Sequence, residues 1–252
     1  MLKENDYRDY CARFNRVFAY LESVSLPKND VAMSICALRG YYPERMSGIL
    51  QKADFLFVKD EEAFSKLRPV GSDLGLFTSE GNFLLKGRFI FPVRDMLGNV
   101  IALIGWYPDE KKYITTPSRL FSKNCLFYGL EQMSSTGIGK RYVLVEGIFD
   151  SLSVRSLGIP CVAQMGISSS RYKKELYSLF KSFIAIPDND TEGRKVLYED
   201  KWSLPSGSKY LKWVGDSSKD IDKLVNSYEE EDLLQMFKNA FFAKERVYTV
   251  KL

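Results

Sequence analysis

From residue 141 onward, short apolar runs and amphipathic segments take turns. This alternation constrains the fold more than any other feature of the chain. RYVLV, IPCVA, SFIAI and KYLKWV are too short for buried helices and rich in β-branched or aromatic residues, so each reads as a strand. Between and after them, IFDSLSVRSLG, SSSRYKKELYSLFK, TEGRKVLYEDKW, KDIDKLVNS and EEEDLLQMFKNAF carry helical spacing. Gly158 reads as a helix stop, and the serines before Arg171 read as caps. Near-continuous apolar strands alternating with helices predict a mostly parallel sheet covered on both faces.

The first half reads differently. Residues 5–70 are mainly helical, with DYCARFNRVFAYLESV and DVAMSICALR placing apolar residues three and four apart and Asp30 available as a cap. RFIFPVRD, the turn MLGN and VIALIGWY predict a β-hairpin, and KKYITTP a further strand. The small-residue run SSTGIGK marks the boundary. The expected class is α/β. An α+β subdomain covers 1–138, a Rossmann-like, mostly parallel sheet flanked by helices covers 139–226, and a short helical segment covers 227–252.

Three of the four strands in the second half lead into acids. Glu146-Gly147 follows the first, with Asp150 one turn on; Asp188-Asn189-Asp190 follows the third; Asp220 and Asp222 follow the fourth after GDSSK. Open α/β sheets bind ligands beyond the carboxyl ends of their strands. Each piece alone has an ordinary explanation as a cap or turn. The ordered set predicts a carboxylate cluster if the strands are neighbours. Clustered carboxylates raise each other's pKa unless a cation offsets them. Gly147 and Gly193 would let backbone approach closely there.

Composition narrows the chemistry. The chain has no histidine, and Cys11, Cys36, Cys125 and Cys161 form no CxxC pair. That removes the usual zinc patterns and the imidazole-dependent nucleophile systems. A metal here takes oxygen ligands, which points to Mg²⁺ or Mn²⁺ and not zinc. The net charge is +4, and seven Lys or Arg fall between Lys86 and Lys123 against three acids. Such a run suits a solvated face or a phosphate-binding surface. The polar start MLKENDYRDY is no signal peptide, and no apolar run reaches the ~20 residues of a membrane helix, so the expectation is a cytoplasmic protein without a membrane partner.

VLVEGIFDSLSV followed by FIAIPDNDTEGRKV resembles the Toprim domain, which DnaG-type primases, topoisomerases, small nucleases and recombination mediators share. The upstream stretch from Gly87 to Gln132 resembles the segment preceding Toprim in DnaG-type primases. The matching positions are Arg88, Pro92, Arg94, Asp95, Lys112, Tyr113, Pro117, Lys123, Phe127, Tyr128, Gly129 and Leu130. YLESVSLPKNDVAMSICALRGYYP resembles that family's opening segment, so the likeness spans roughly residues 15–228.

The resemblance implies a DNA-dependent RNA polymerase of the primase type. It would make short RNA primers on single-stranded DNA from ribonucleoside triphosphates, using two or more Mg²⁺ or Mn²⁺ ions. Glu146, Asp188 and Asp190 would be catalytic and metal-binding, with Asp150, Asp220 and Asp222 completing the metal site. Arg88, Arg94, Lys112 and Lys123 would hold template or nucleotide phosphates in a groove between the halves.

Departures from the family pattern are the lack of a Cys/His zinc module, only about 25 residues after the last Asp-x-Asp, and Trp106-Tyr107 where an arginine is common. They imply a separate zinc-domain protein and/or a replicative helicase as partner, in a bacterial or phage-infected cell. The alternatives are a Toprim-type metal-dependent nuclease and a non-catalytic nucleic-acid-binding replication accessory protein.

Overall fold

The computed structural model describes residues 4–108, 112–116, 127–132, 140–165 and 171–252. Contacts divide the chain into two units, Met1–Lys123 and Asn124–Leu252. The division falls before the SSTGIGK run, most of which lies outside the described residues. Its cause is visible in residues 127–132. Tyr128 exchanges backbone hydrogen bonds with Ala163, and the Gln132 amide donates to Cys161 O at 2.7 Å, so this segment belongs with the second unit.

The first unit opens with helices α1 (Glu4–Val24), α2 (Lys28–Arg39) and α3 (Pro43–Lys52), followed by a 3₁₀ segment (Glu61–Leu67) and the single turn α4 (Arg68–Gly71). Three strands follow, β1 (Phe89–Arg94), β2 (Val100–Tyr107) and β3 (Lys112–Thr115), paired antiparallel in the order β1-β2-β3. Phe14, Val17 and Leu21, at helical spacing on α1, bury with Ile90 and Leu103. The Tyr10 hydroxyl donates to Ile101 O at 3.0 Å, and Val100 N donates to Asn15 Oδ1 at 2.9 Å. Asp95 shapes the hairpin turn by accepting from Leu97 N and Asn99 N, while Gly98 adopts φ +85°. Asp30 does not cap α2. Pro27 stands at the cap position with its preset φ, leaving Asp30 inside the first turn, where its charge suits the helix dipole.

In the second unit the order is β4 (Arg141–Val145), α5 (Ile148–Ser156), β5 (Cys161–Ala163), α6 (Arg171–Tyr177), β6 (Ser182–Ile186), α7 (Thr191–Glu199), β7 (Lys209–Val214), α8 (Ile221–Ser227), α9 (Glu230–Phe242) and β8 (Val247–Lys251). These five strands pair in parallel, in the order β5-β4-β6-β7-β8. Strands β5 and β6 are buried throughout, and β4 is buried from Tyr142 to Val145, as their apolar character predicts. Gly158 takes φ +74° just past α5.

The segment expected to be helical over 227–252 is so only for Glu230–Phe242; VYTVK instead pairs in register with Tyr210 to Val214 of β7. As an edge strand it is only half covered, so its apolar signal is weak, and a neighbouring ladder settles its conformation. Among the described residues no helix is long and apolar enough to cross a membrane.

Candidate active site

From β4 the chain crosses to β5 on one side and then returns to place β6 on the other. The carboxyl ends of β4 and β6 therefore flank the point where the winding reverses, the place where open parallel sheets form a ligand crevice. Glu146 leaves β4 there and Asp188 leaves β6, and Asp188 N donates to Glu146 Oε1 at 3.2 Å. Asp190 caps α7, its Oδ1 accepting from Gly193 N at 2.9 Å. Asp220 caps α8 in the same way, accepting from Lys223 N at 2.9 Å. Capping occupies one oxygen of each carboxylate, so the cap reading holds for Asp190 and Asp220.

The 187–190 loop is packed tightly against α7. A Cβ on Gly193 would lie 1.8 Å from Asp188 O, so only glycine lets the helix start so close to the loop. Gly147 is similarly confined, with an added Cβ 2.5 Å from Asp150 Oδ2.

Burial separates the six acids into two layers. Glu146, Asp188, Asp190 and Asp220 are part-exposed around the crevice. Asp150 and Asp222 are buried below it. Asp150 accepts from Gly147 N at 3.0 Å and from Asp222 N at 3.1 Å, while Asp222 accepts from the Ser153 hydroxyl and from Asn226 Nδ2. These two carboxylates tie the loop after β4 to the start of α8. Sequence spacing alone gave no sign of this division of labour.

The electrostatics follow the layering. Burial, then the charge of Glu146, pushes Asp188 up to about 7. Glu146 is raised, chiefly by burial. Asp150 is raised well above the ordinary carboxylate range by burial and by Asp222. Asp190 is lowered, first by the Gly193 N–H and also by Lys219. Two neighbouring acids are thereby set to opposite protonation tendencies.

The sequence reading missed Lys219. Its ammonium lies 3.2 Å from Asp190 Oδ2 and 3.9 Å from Asp188 Oδ2, and Asn189 N donates to Lys219 O at 2.6 Å. A lysine one residue before Asp220 was the available signal. It was masked because lysines before helices are commonly solvated.

Of the basic candidates, Arg94 is engaged inside the first unit. Its guanidinium pairs with Asp54 at 2.9 Å, donates to Gly98 O and stacks over Phe18. Arg88 lies over the Tyr107 ring, 5.6 Å from its centroid. Trp106 is buried against Phe89 and serves the sheet, not a ligand. Lys112 opens β3, with only its backbone described, and Pro117 and Lys123 lie outside the described residues.

Residues 143–225, within the second unit, match the Toprim-like family. The whole chain, further, has the catalytic-core fold of the DnaG-type primases. It superimposes on a DnaG primase catalytic domain solved bound to single-stranded DNA with a TM-score of 0.75 at 21% identity, over 94% of this chain and 80% of that one. In sequence it is 29% identical over 234 residues to the DNA primase of Thermotoga maritima, covering 88% of this chain and 39% of the relative. It is 29% identical over 161 residues to that of Clostridium acetobutylicum, covering 62% and 27%. The chain therefore spans between a quarter and two fifths of these relatives' length.

A Toprim-like domain implies dependence on a divalent metal. Among the described residues no three acidic, cysteine or histidine side chains are gathered closely enough to hold an ion. The donor set nevertheless fits one. The part-exposed acids offer oxygen ligands only, two are raised first by burial and also by neighbouring acids, and the Lys219 ammonium sits 3.2 Å from one of the four.

Proposed function

We propose that this chain is a primase core that makes short RNA primers on single-stranded DNA from ribonucleoside triphosphates. One observation carries the reading: the strand-end acids Glu146 and Asp188 meet at the switch point of a Toprim-like sheet, in a chain with the DnaG catalytic-core fold. Glu146, Asp188, Asp190 and Asp220 would hold two or more Mg²⁺ or Mn²⁺ ions, which supply stabilisation of the attacking and leaving oxygens in an in-line displacement. The residues themselves do the positioning. Asp190, held ionised by Gly193 N and Lys219, is ready to ligate, and Asp150 keeps the Glu146-Gly147 turn fixed from below. Arg88, Arg94, Lys112 and Lys123 are the proposed phosphate contacts; for Arg94 this role requires release from Asp54. A separate zinc-domain protein or a replicative helicase is the proposed partner, in a bacterial or phage-infected cytoplasm.

The reading is tested by primer synthesis from labelled ribonucleotides on single-stranded templates of varied sequence, with Mg²⁺ or Mn²⁺ and with or without a partner zinc-domain protein. RNA products of defined length support it. Cleavage of the template without synthesis would replace it with a Toprim nuclease, and DNA binding without either activity with an accessory protein.

Lys219 adds a second expectation. Its ammonium repels an incoming divalent cation by about 2 kcal/mol at 4 Å in water. Lys219→Met should therefore tighten Mn²⁺ binding by roughly thirtyfold at low salt, read by paramagnetic resonance titration. Weaker binding in that variant would show that Lys219 instead organises the carboxylates.

A further inference from the structure

Beside the acid crevice, on the α7 side of the sheet, lies a cleft of about 200 Å³. Its helical wall is one face of α7, where Arg194, Leu197 and Tyr198 stand three and four residues apart. Its other wall is the end of β7, where Lys212 and Val214 share a face. Asp188 and Asn189 form its rim, so the cleft opens onto the candidate catalytic loop.

The chemistry of this lining is unlike that of the crevice next to it. Tyr198 is 70% exposed, a large aromatic ring on a surface that does not need it for packing. The Lys212 ammonium lies 5.8 Å from its ring centroid. Arg194 and Lys212 form no ion pair with a carboxylate among the described residues, and Asp188 is the one acid in the lining. An exposed ring flanked by two such cations is the pairing that proteins use to hold single-stranded nucleic acid, with the ring stacking a base and the cations meeting phosphate.

We propose that Tyr198, Arg194 and Lys212 form a binding site for one nucleotide unit. Its base stacks on Tyr198 and its phosphate lies between Arg194 and Lys212, next to Asp188. The proposal rests on the primase reading for the identity of its ligand. The size agrees: the cleft has room for a single base or phosphate, not for a folded partner. The nucleotide can belong to a single strand passing the site or be a free triphosphate, and the two sources are separable.

Binding is measured by fluorescence anisotropy with a labelled oligothymidylate, and by calorimetry with a ribonucleoside triphosphate, both at fixed salt and without divalent metal. Tyr198→Ala should weaken binding about tenfold with an unchanged melting temperature, and Tyr198→Phe should restore it. Arg194→Ala and Lys212→Ala should each weaken binding and lower the salt dependence by about one phosphate contact. Loss confined to the oligonucleotide identifies a strand, and loss confined to the triphosphate identifies a free nucleotide; either supports the site. Binding of both probes unaltered by Tyr198→Ala, or recovered by Tyr198→Phe no better than by Ala, overturns it. Primer synthesis by a Tyr198→Ala protein with unchanged template and nucleotide KM would remove this site and leave the polymerase reading standing. Binding through Tyr198 in a protein that makes no primers would do the reverse.

Discussion

Glu146→Gln is expected to reduce nucleotidyl transfer on the order of 10³-fold, the scale seen when one preorganised charge-stabilising group is lost from an active site. The substitution is informative because it is nearly isosteric. Gln keeps the oxygen that accepts from Asp188 N at 3.2 Å, so the loop geometry has no reason to change. What disappears is the negative charge and one oxygen ligand. Burial raises the pKa of Glu146, so its ionised form is disfavoured in the folded state, and a neutral amide relieves that cost. The melting temperature of the metal-free variant should therefore equal or exceed that of the wild type while primer synthesis vanishes. Primer synthesis within tenfold of wild type would take Glu146 out of the site.

Gly193→Ala should be as damaging by a different route. The added methyl would lie 1.8 Å from Asp188 O and 2.7 Å from its carbonyl carbon, and both are backbone atoms that no rotamer change can move. Either α7 or the 187–190 loop must shift, and the loop carries Asp188. Overpacking of this kind costs about 1–3 kcal/mol. That corresponds to a fall in melting temperature of roughly 5 °C in a chain of this size, together with loss of primer synthesis comparable to Glu146→Gln. Gly48, whose φ is not positive and whose added Cβ would meet nothing within 4 Å, is the comparison position. A Gly193→Ala protein with wild-type stability and activity would show that the loop yields freely.

Much of this architecture is legible in the chain because the signals are local. Apolar runs such as SFIAI are buried on both faces and so lack alternation, and that pattern, with their shortness and the helices between them, points to a parallel sheet. The convergence of Glu146 and Asp188 follows once β4 and β6 are neighbours. What stayed hidden depends on partners distant in sequence. Asp150 and Asp222 look like the other acids, and only the fold shows them buried and bonded to each other's loops. Asp30 resembles a cap until Pro27 is seen to start the helix earlier. VYTVK becomes a strand because β7 offers it an edge. Tyr198 reads as an ordinary amphipathic-helix residue until its exposure and the cations around it are seen together.

Lys219 bears finally on how the protein comes into being. Many small metal-binding folds are assembled by their ion, because the ligands have nothing else to hold them together. Here the cluster carries its own positive charge, with the ammonium 3.2 Å from Asp190. Asp190 and Asp220 are committed to helix starts, Asp150 accepts from the Asp222 backbone N–H, and the Asp222 carboxylate accepts from Ser153 and Asn226. At the proposed metal site, synthesis of the polypeptide and loading of the metal would therefore be separate events. A chelator should strip the site and leave the circular dichroism spectrum as it was, and a collapse of that spectrum would mean that the ion builds the fold. A chain with this property would be folded before any metal reaches it.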